Sequence, residues 1–198
     1  MLEHIQKYDI LLASNSPRRR ELLSGLGIEY QVTSLPGIDE SYPESLQGEE
    51  IPKYIAKAKA EAYKPEMTDK TLLITADTIV WLNGKVFGKP KDKDDAKKML
   101  QALSGNTHTV ITGVCITTRE KQISFSVSTD VSFATLDEEE IDFYIENYKP
   151  FDKAGAYGIQ EWIGFVGVNG IAGSYFNVMG LPIHRLYQEL KHFKLPVI

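Results

Sequence analysis

Apolar residues along this chain change period several times, and each change marks an element. Ile10-Leu11-Leu12-Ala13 is a short continuous apolar run, the pattern of a buried strand. Leu22, Leu23 and Leu26 then give a helix an apolar face, with Gly27 placed to close it. Tyr30-Gln31-Val32 predicts a second strand, and 35–48 reads as loop, with Pro36, Gly37, Pro43 and Gly48. Ile51, Tyr54, Ile55, Ala58 and Ala62 recur at helical spacing and predict a helix over about 49–63. The run from Thr71 to Leu82 is the clearest strand. Asn83-Gly84 after it, followed by Lys85-Val86-Phe87, is the signal of a type I′ hairpin. A helix is predicted over 92–103, with acids early and Gly105 as its stop. Two β-rich runs, 107–118 and 123–135, flank Arg119-Glu120-Lys121-Gln122 and read as a second hairpin. The stretch 136–148 opens with Asp137, Glu138, Glu139 and Glu140, as a helix N-terminus does, and a last helix is predicted over about 182–192. Residues 155–180 are glycine-rich and show no period, and there is no internal repeat.

The strand–loop–helix opening is the usual start of an α/β layer. Its loop and first helical turn carry the first chemical anomaly, Ser14-Asn15-Ser16-Pro17-Arg18-Arg19-Arg20-Glu21-Leu22-Leu23. Ser16 suits the N-cap and Pro17 the first helical position. The three arginines that follow have the wrong charge for the positive end of a helix, at a cost of about 0.3–1 kcal/mol. Free backbone N–H groups, serine hydroxyls and guanidinium forks could together hold a phosphate chain. A solvated basic helix start is the plain alternative.

Asp77 is the second anomaly. It interrupts Leu72-Leu73-Ile74-Thr75-Ala76-Asp77-Thr78-Ile79-Val80-Trp81, and a carboxylate buried in a strand is costly unless paired, protonated or metal-bound. It is either a metal ligand or general base, or an Asp near a strand end bonded to backbone or solvent. Lys89, in Gly88-Lys89-Pro90, follows Gly84 at nearly the spacing of a P-loop. Pro90 stands where a metal-binding hydroxyl is needed, so a P-loop ATPase is rejected. Lys89 remains either a phosphate contact or a surface lysine. Gly158-Ile159-Gln160-Glu161 offers a side-chain amide that can read a base edge through its paired donor and acceptor, or it is a plain turn.

Composition narrows the field. The chain has 198 residues, enough for one large domain or two small lobes, with ordinary hydrophobic content (42%). A net charge of −5 argues against a general nucleic-acid binder, so any anion-binding surface is local. Cys115 is the sole cysteine, which excludes an intrachain disulfide and a cysteine zinc site. His4, His108, His184 and His192 have no metal-ligand spacing, and no GxSxG elbow is present. No signal-peptide pattern and no run of 18 apolar residues is found, so the expectation is a cytoplasmic protein without a membrane span.

Taken in order, the anomalies resemble the Maf family of nucleotide pyrophosphatases. The resemblance lies in the arginine segment, Ala76-Asp77-Thr78-Ile79-Val80, Gly88-Lys89-Pro90, and Leu103-Ser104-Gly105 with Thr107-His108. It continues through Asp152-Lys153-Ala154-Gly155-Ala156-Tyr157-Gly158-Ile159-Gln160, Gly173-Ser174-Tyr175, Asn177-Val178 and Gly180-Leu181-Pro182. It covers essentially the whole chain as a single domain over residues 1–198. The fold it implies is α/β and Maf/ITPase-like: two lobes around a long curved mixed sheet, with an active-site cleft between them. The implied activity is cleavage of nucleoside triphosphates to the monophosphate and pyrophosphate with a divalent metal, Mg²⁺ or Mn²⁺. Ala-Asp-Thr together with the later Gln resembles the dTTP/UTP branch, with modified pyrimidine nucleotides as further substrates. By the same resemblance Asp77 is the catalytic acid–base residue. Arg18, Thr78 and Gln160 select the substrate. Ser14, Arg19, Glu40, Lys59 and Lys89 line the phosphate and metal region, with Glu40 and Asp77 as metal positions. The branch commonly has Gly after the Gln, whereas Glu161-Trp162 follows here. The resemblance also suggests a homodimer. The alternative function is a nucleotide-sensing regulator of cell division or septum formation.

Overall fold

The computed structural model describes residues 1–193. Its strands are β1 (Asp9–Ala13), β2 (Gln31–Thr33), β3 (Thr71–Leu82), β4 (Lys85–Phe87), β5 (Thr107–Thr117), β6 (Gln122–Phe133) and β7 (Val168–Ala172). The α-helices are α1 (Pro17–Ser24), α2 (Glu50–Tyr63), α3 (Lys93–Leu103), α4 (Glu138–Tyr148), α5 (Trp162–Gly167), α6 (Tyr175–Met179) and α7 (Ile183–Lys191). The strands form one mixed sheet of order β2-β1-β3-β5-β6-β7, with β4 also on β3. β1 runs parallel to β2 and to β3, in register Leu11↔Gln31 and Asp9↔Thr71. β4 and β7 are antiparallel to their neighbours.

The expected α/β architecture is therefore present, and the caps sit where the sequence puts them. Ser16 accepts from the Arg19 N–H, Asp92 from Asp95, and Asp137 with Glu140 closes a reciprocal capping box. The turn after β3 has Asn83 at φ 51° and Gly84 at φ 75°, as a type I′ hairpin requires. Two readings differ. α1 ends at Ser24, and Leu26 and Gly27 follow in tight turns before Gly27 turns left-handed at φ 67°. The aperiodic stretch 155–180 holds α5, β7 and α6, each of five or six residues, too short to show a period.

Two compact units are formed from discontinuous segments. The first takes residues 1–77, 112–127 and the described residues from Gly180 on; the second takes 78–111 and 128–179. In the first, α2 lies on the sheet through Ala56 and Ala60, which pack in a core with Ala13, Tyr63, Met67, Leu73 and Cys115. The small side chains let the helix come close. At Gly113 of β5 a Cβ would stand 2.3 Å from the Lys53 nitrogen, so only glycine fits. The Thr75 hydroxyl donates to the Ala56 carbonyl at 2.6 Å and fixes the helix along its axis.

In the second unit the fully buried His108 ring stands edge-on to Phe133 and Tyr157, with Nε2 2.6 Å from the Tyr157 hydroxyl. Burial lowers its pKa from 6.5 to about 4. The unfolded chain therefore binds a proton that the folded chain does not between those values. Stability is full above pH 6.5 and falls as the pH drops toward 4, by about 3 kcal/mol from this group. Denaturant unfolding at pH 7 and pH 4.5 checks this, since His108→Phe is expected to lose less stability than the parent between the two. Equal losses would show that His108 is not the source.

Candidate active site

In the first unit the site begins where β1 ends. β1 and β3 lie side by side to Leu12↔Ile74, so Ser14 stands just past the carboxyl end of β1, beside the stretch of β3 that leads to Asp77. Carboxyl ends of parallel strands are where α/β sheets place ligands. The Ser14 hydroxyl accepts from the Ser16 N–H at 3.2 Å and shapes the turn into α1. The three arginines of that turn then separate. Arg20 reaches back to the Ser14 carbonyl at 3.4 Å and is structural. Arg19 is half-buried, and its Nε donates to the Gly180 carbonyl at 2.7 Å. Burial, and Arg18 beside it, lower the Arg19 pKa, while Asp77 and Glu40 act to raise it. A guanidinium keeps its charge in such surroundings.

Lys59, projected from α2, is the hub. Its ammonium lies 3.1 Å from Asp77 Oδ1, 3.0 Å from Glu40 Oε1 and 3.4 Å from the Ala76 carbonyl, so its three protons meet three acceptors. Asp77 is in the middle of β3 and 9% exposed, not at the strand's end. Burial raises its pKa; Lys59 and Arg19 oppose that, and Glu40 adds to it. A carboxylate raised toward neutrality and held by cations is suited to taking a proton. The structure thus brings together Ser14, Arg18, Arg19, Glu40, Lys59 and Asp77, three cations to two carboxylates. Among the described residues no group of three His, Cys, Asp or Glu side chains forms a metal cage. Glu40 Oε1 and Asp77 Oδ1 both meet the Lys59 ammonium, and the two carboxylates are oxygen donors of the kind that hold Mg²⁺ together with substrate phosphates.

Thr78, Lys89 and Gln160 belong to the second unit. Thr78 continues β3. Lys89 is exposed, and the Gly88 carbonyl before it accepts from the Gly155 N–H at 3.0 Å, which joins its loop to the segment leading to Gln160. The Gln160 carbonyl oxygen is buried and has no hydrogen-bond partner among the described residues, a state that costs roughly 1–3 kcal/mol unless a ligand donor reaches it. Around Gln160 the sequence singled out Glu161 but not its partners Tyr144 and Lys153. The Tyr144 hydroxyl donates to Glu161 Oε2 at 2.6 Å and accepts from the Gly158 N–H at 2.9 Å; Lys153 pairs with Glu161 Oε1 at 3.0 Å. Nothing in the sequence pointed to Tyr144 or paired Lys153 with Glu161.

The family described as Maf-like protein matches residues 9–193. A protein of Phocaeicola vulgatus named dTTP/UTP pyrophosphatase is 67% identical over 191 residues, 96% of this chain and 99% of its own length. One of Parabacteroides distasonis with the same name is 62% identical over 98% of this chain and all of its own. The solved structure of the Staphylococcus aureus Ham1 protein superposes with a TM-score of 0.53 at 18% identity, covering 94% of this chain and 100% of that one, and so shares the fold.

Proposed function

Because this chain belongs to the Maf family, we propose that it is a cytoplasmic nucleoside triphosphate pyrophosphatase that cleaves dTTP and UTP to the monophosphate and pyrophosphate. The observation that carries this is the buried Asp77 carboxylate held by Lys59 beside Arg19, a proton acceptor set among cations. The names of the relatives, at 67% and 62% identity, supply the substrates. The absence of a membrane-spanning helix among the described residues is consistent with the location.

Attack at the α-phosphorus meets a strongly anionic group. Arg18, Arg19, Lys59 and Lys89 offset that charge and align the phosphate chain. Asp77 accepts the proton of the attacking water. Ser14 offers its hydroxyl proton to a phosphate oxygen, because its oxygen already accepts from Ser16. A Mg²⁺ or Mn²⁺ ion held by Glu40 and Asp77 neutralises phosphate charge when bound. Thr78 and Gln160 select the base. The Gln160 amide carries an acceptor and a donor side by side, which suits the N3–H and the adjacent carbonyl of uracil or thymine. The two bases differ by a methyl group, which discriminates by about 1–3 kcal/mol at most, so both are substrates.

Pyrophosphate release from UTP, dTTP, CTP, GTP and ATP with Mg²⁺ or Mn²⁺ tests the reading. UTP and dTTP are expected to lead in kcat/KM. Gln160→Glu, which sets an acceptor against a base carbonyl, is expected to lower pyrimidine turnover and change the ranking. A parent that prefers GTP or ATP, or a ranking untouched by Gln160→Glu, would refute the base assignment. Nucleotide binding without any pyrophosphate release would favour the sensing role instead.

A further inference from the structure

Glu161 directly follows Gln160, and its surroundings show a built arrangement. Its carboxylate takes the Tyr144 hydroxyl proton on one oxygen and the Lys153 ammonium on the other, at 2.6 and 3.0 Å. The Tyr144 oxygen in turn accepts the Gly158 N–H at 2.9 Å. The Glu161 N–H donates to the Gly158 carbonyl at 3.0 Å, and the Glu161 carbonyl accepts from Gly164 at 2.9 Å. The four-residue turn that carries Gln160 is thus tied at both ends, through its backbone and to α4. The Glu161 and Lys153 side chains are only 19% and 10% exposed, so water screens the pair weakly. Lys153 also pairs with Asp152 at 2.9 Å, but that carboxylate is 60% exposed and more strongly screened. Space is taken as well: a Cβ on Gly158 would stand 2.9 Å from Glu161 Oε1 and 3.0 Å from Lys153 Cε.

We propose that Glu161 is a positioning residue for base selection, holding the Gln160 turn against Tyr144 and Lys153 so that the amide meets the pyrimidine edge already oriented. This rests on the reading of Gln160 as the residue that meets the base. A residue that holds a binding group ready lowers the cost of ordering it on contact with substrate. A glycine at this position leaves that cost to be met at each binding event. The signature is therefore in KM for the pyrimidine and in discrimination, not in the chemical step.

The experiment compares kcat and KM for UTP and GTP in the parent, Glu161→Gln and Tyr144→Phe, with thermal unfolding to confirm folding. Glu161→Gln removes the less exposed of the two carboxylates that Lys153 meets, and Tyr144→Phe removes the hydroxyl bridge with little change of volume. Each is expected to raise KM for UTP roughly tenfold with kcat changed less than about threefold, and to lower the UTP-to-GTP ratio of kcat/KM by a similar factor. A structural role alone would lower stability and leave that ratio unchanged. An unchanged ratio in whichever variant folds overturns the proposal. Gln160→Glu separates the two readings. If it shifts the ratio while Glu161→Gln and Tyr144→Phe do not, only the positioning role fails. If none of the three shifts it, the base assignment to Gln160 fails with it.

Discussion

Asp77→Asn is expected to fold like the parent and to lose ~10²–10⁴-fold in kcat, the range for a removed proton-transfer group. Asparagine has nearly the shape of aspartate and still accepts a hydrogen bond from Lys59, and Lys59 retains Glu40 as a charged partner at 3.0 Å. What is lost is the ability to take a proton. The pH dependence gives an independent check. Burial raises the Asp77 pKa above 3.8, so kcat/KM of the parent climbs with pH as the carboxylate ionises at a pH above the usual one. The residual activity of the variant has no such limb. Activity within a few-fold of the parent, or an unchanged acid limb, would remove Asp77 from the mechanism.

Lys59→Met is expected to lower kcat/KM by ~10²–10³-fold, the loss typical of one charge-stabilising donor. The sign of its effect on Asp77 is also fixed. Lys59 is the largest influence lowering that carboxyl's pKa against burial, so without it the pKa rises further. The acid limb of the pH–rate profile moves to higher pH, and activity at neutrality falls for that reason as well as through lost phosphate contact. Lys59→Arg is expected to rescue only in part. A planar fork cannot meet the Glu40 and Asp77 carboxylates and the Ala76 carbonyl from one point, as the tetrahedral ammonium does. A Lys59→Met profile with the parental limb would refute the coupling.

Local chemistry was legible in the sequence, and long-range pairing was not. β3 and β4 begin and end where the apolar run and Asn83-Gly84 put them, because a strand of twelve residues and a type I′ turn each carry their own signal. α5, β7 and α6 carried none, since five or six residues span too little of a period. α1 stops before Leu26 although its apolar spacing continues, because tight turns take over from Ser24 and lead into the left-handed Gly27. In the site, Asp77 announced itself as a charge in an apolar strand, and the arginine turn as the wrong charge at a helix start. Which arginine does what could not be read. Arg20 and Arg19 are neighbours with the same side chain, yet one returns to Ser14 and the other reaches Gly180. The partners of Glu161 were hidden for the same reason: Tyr144 lies 17 residues away on another helix, and only folding brings the two hydrogen-bonding groups together.

The Arg19–Gly180 contact also sets a clock. Its two ends are 161 positions apart, and a ribosome adds about 5–20 residues per second. Arg19 is thus made roughly 10–30 s before the carbonyl that it bonds. The lysine and the aspartate are added within that interval, and Arg19 lacks its anchor until the interval ends. The guanidinium is therefore anchored only once the chain has been made as far as Gly180, just ahead of α7.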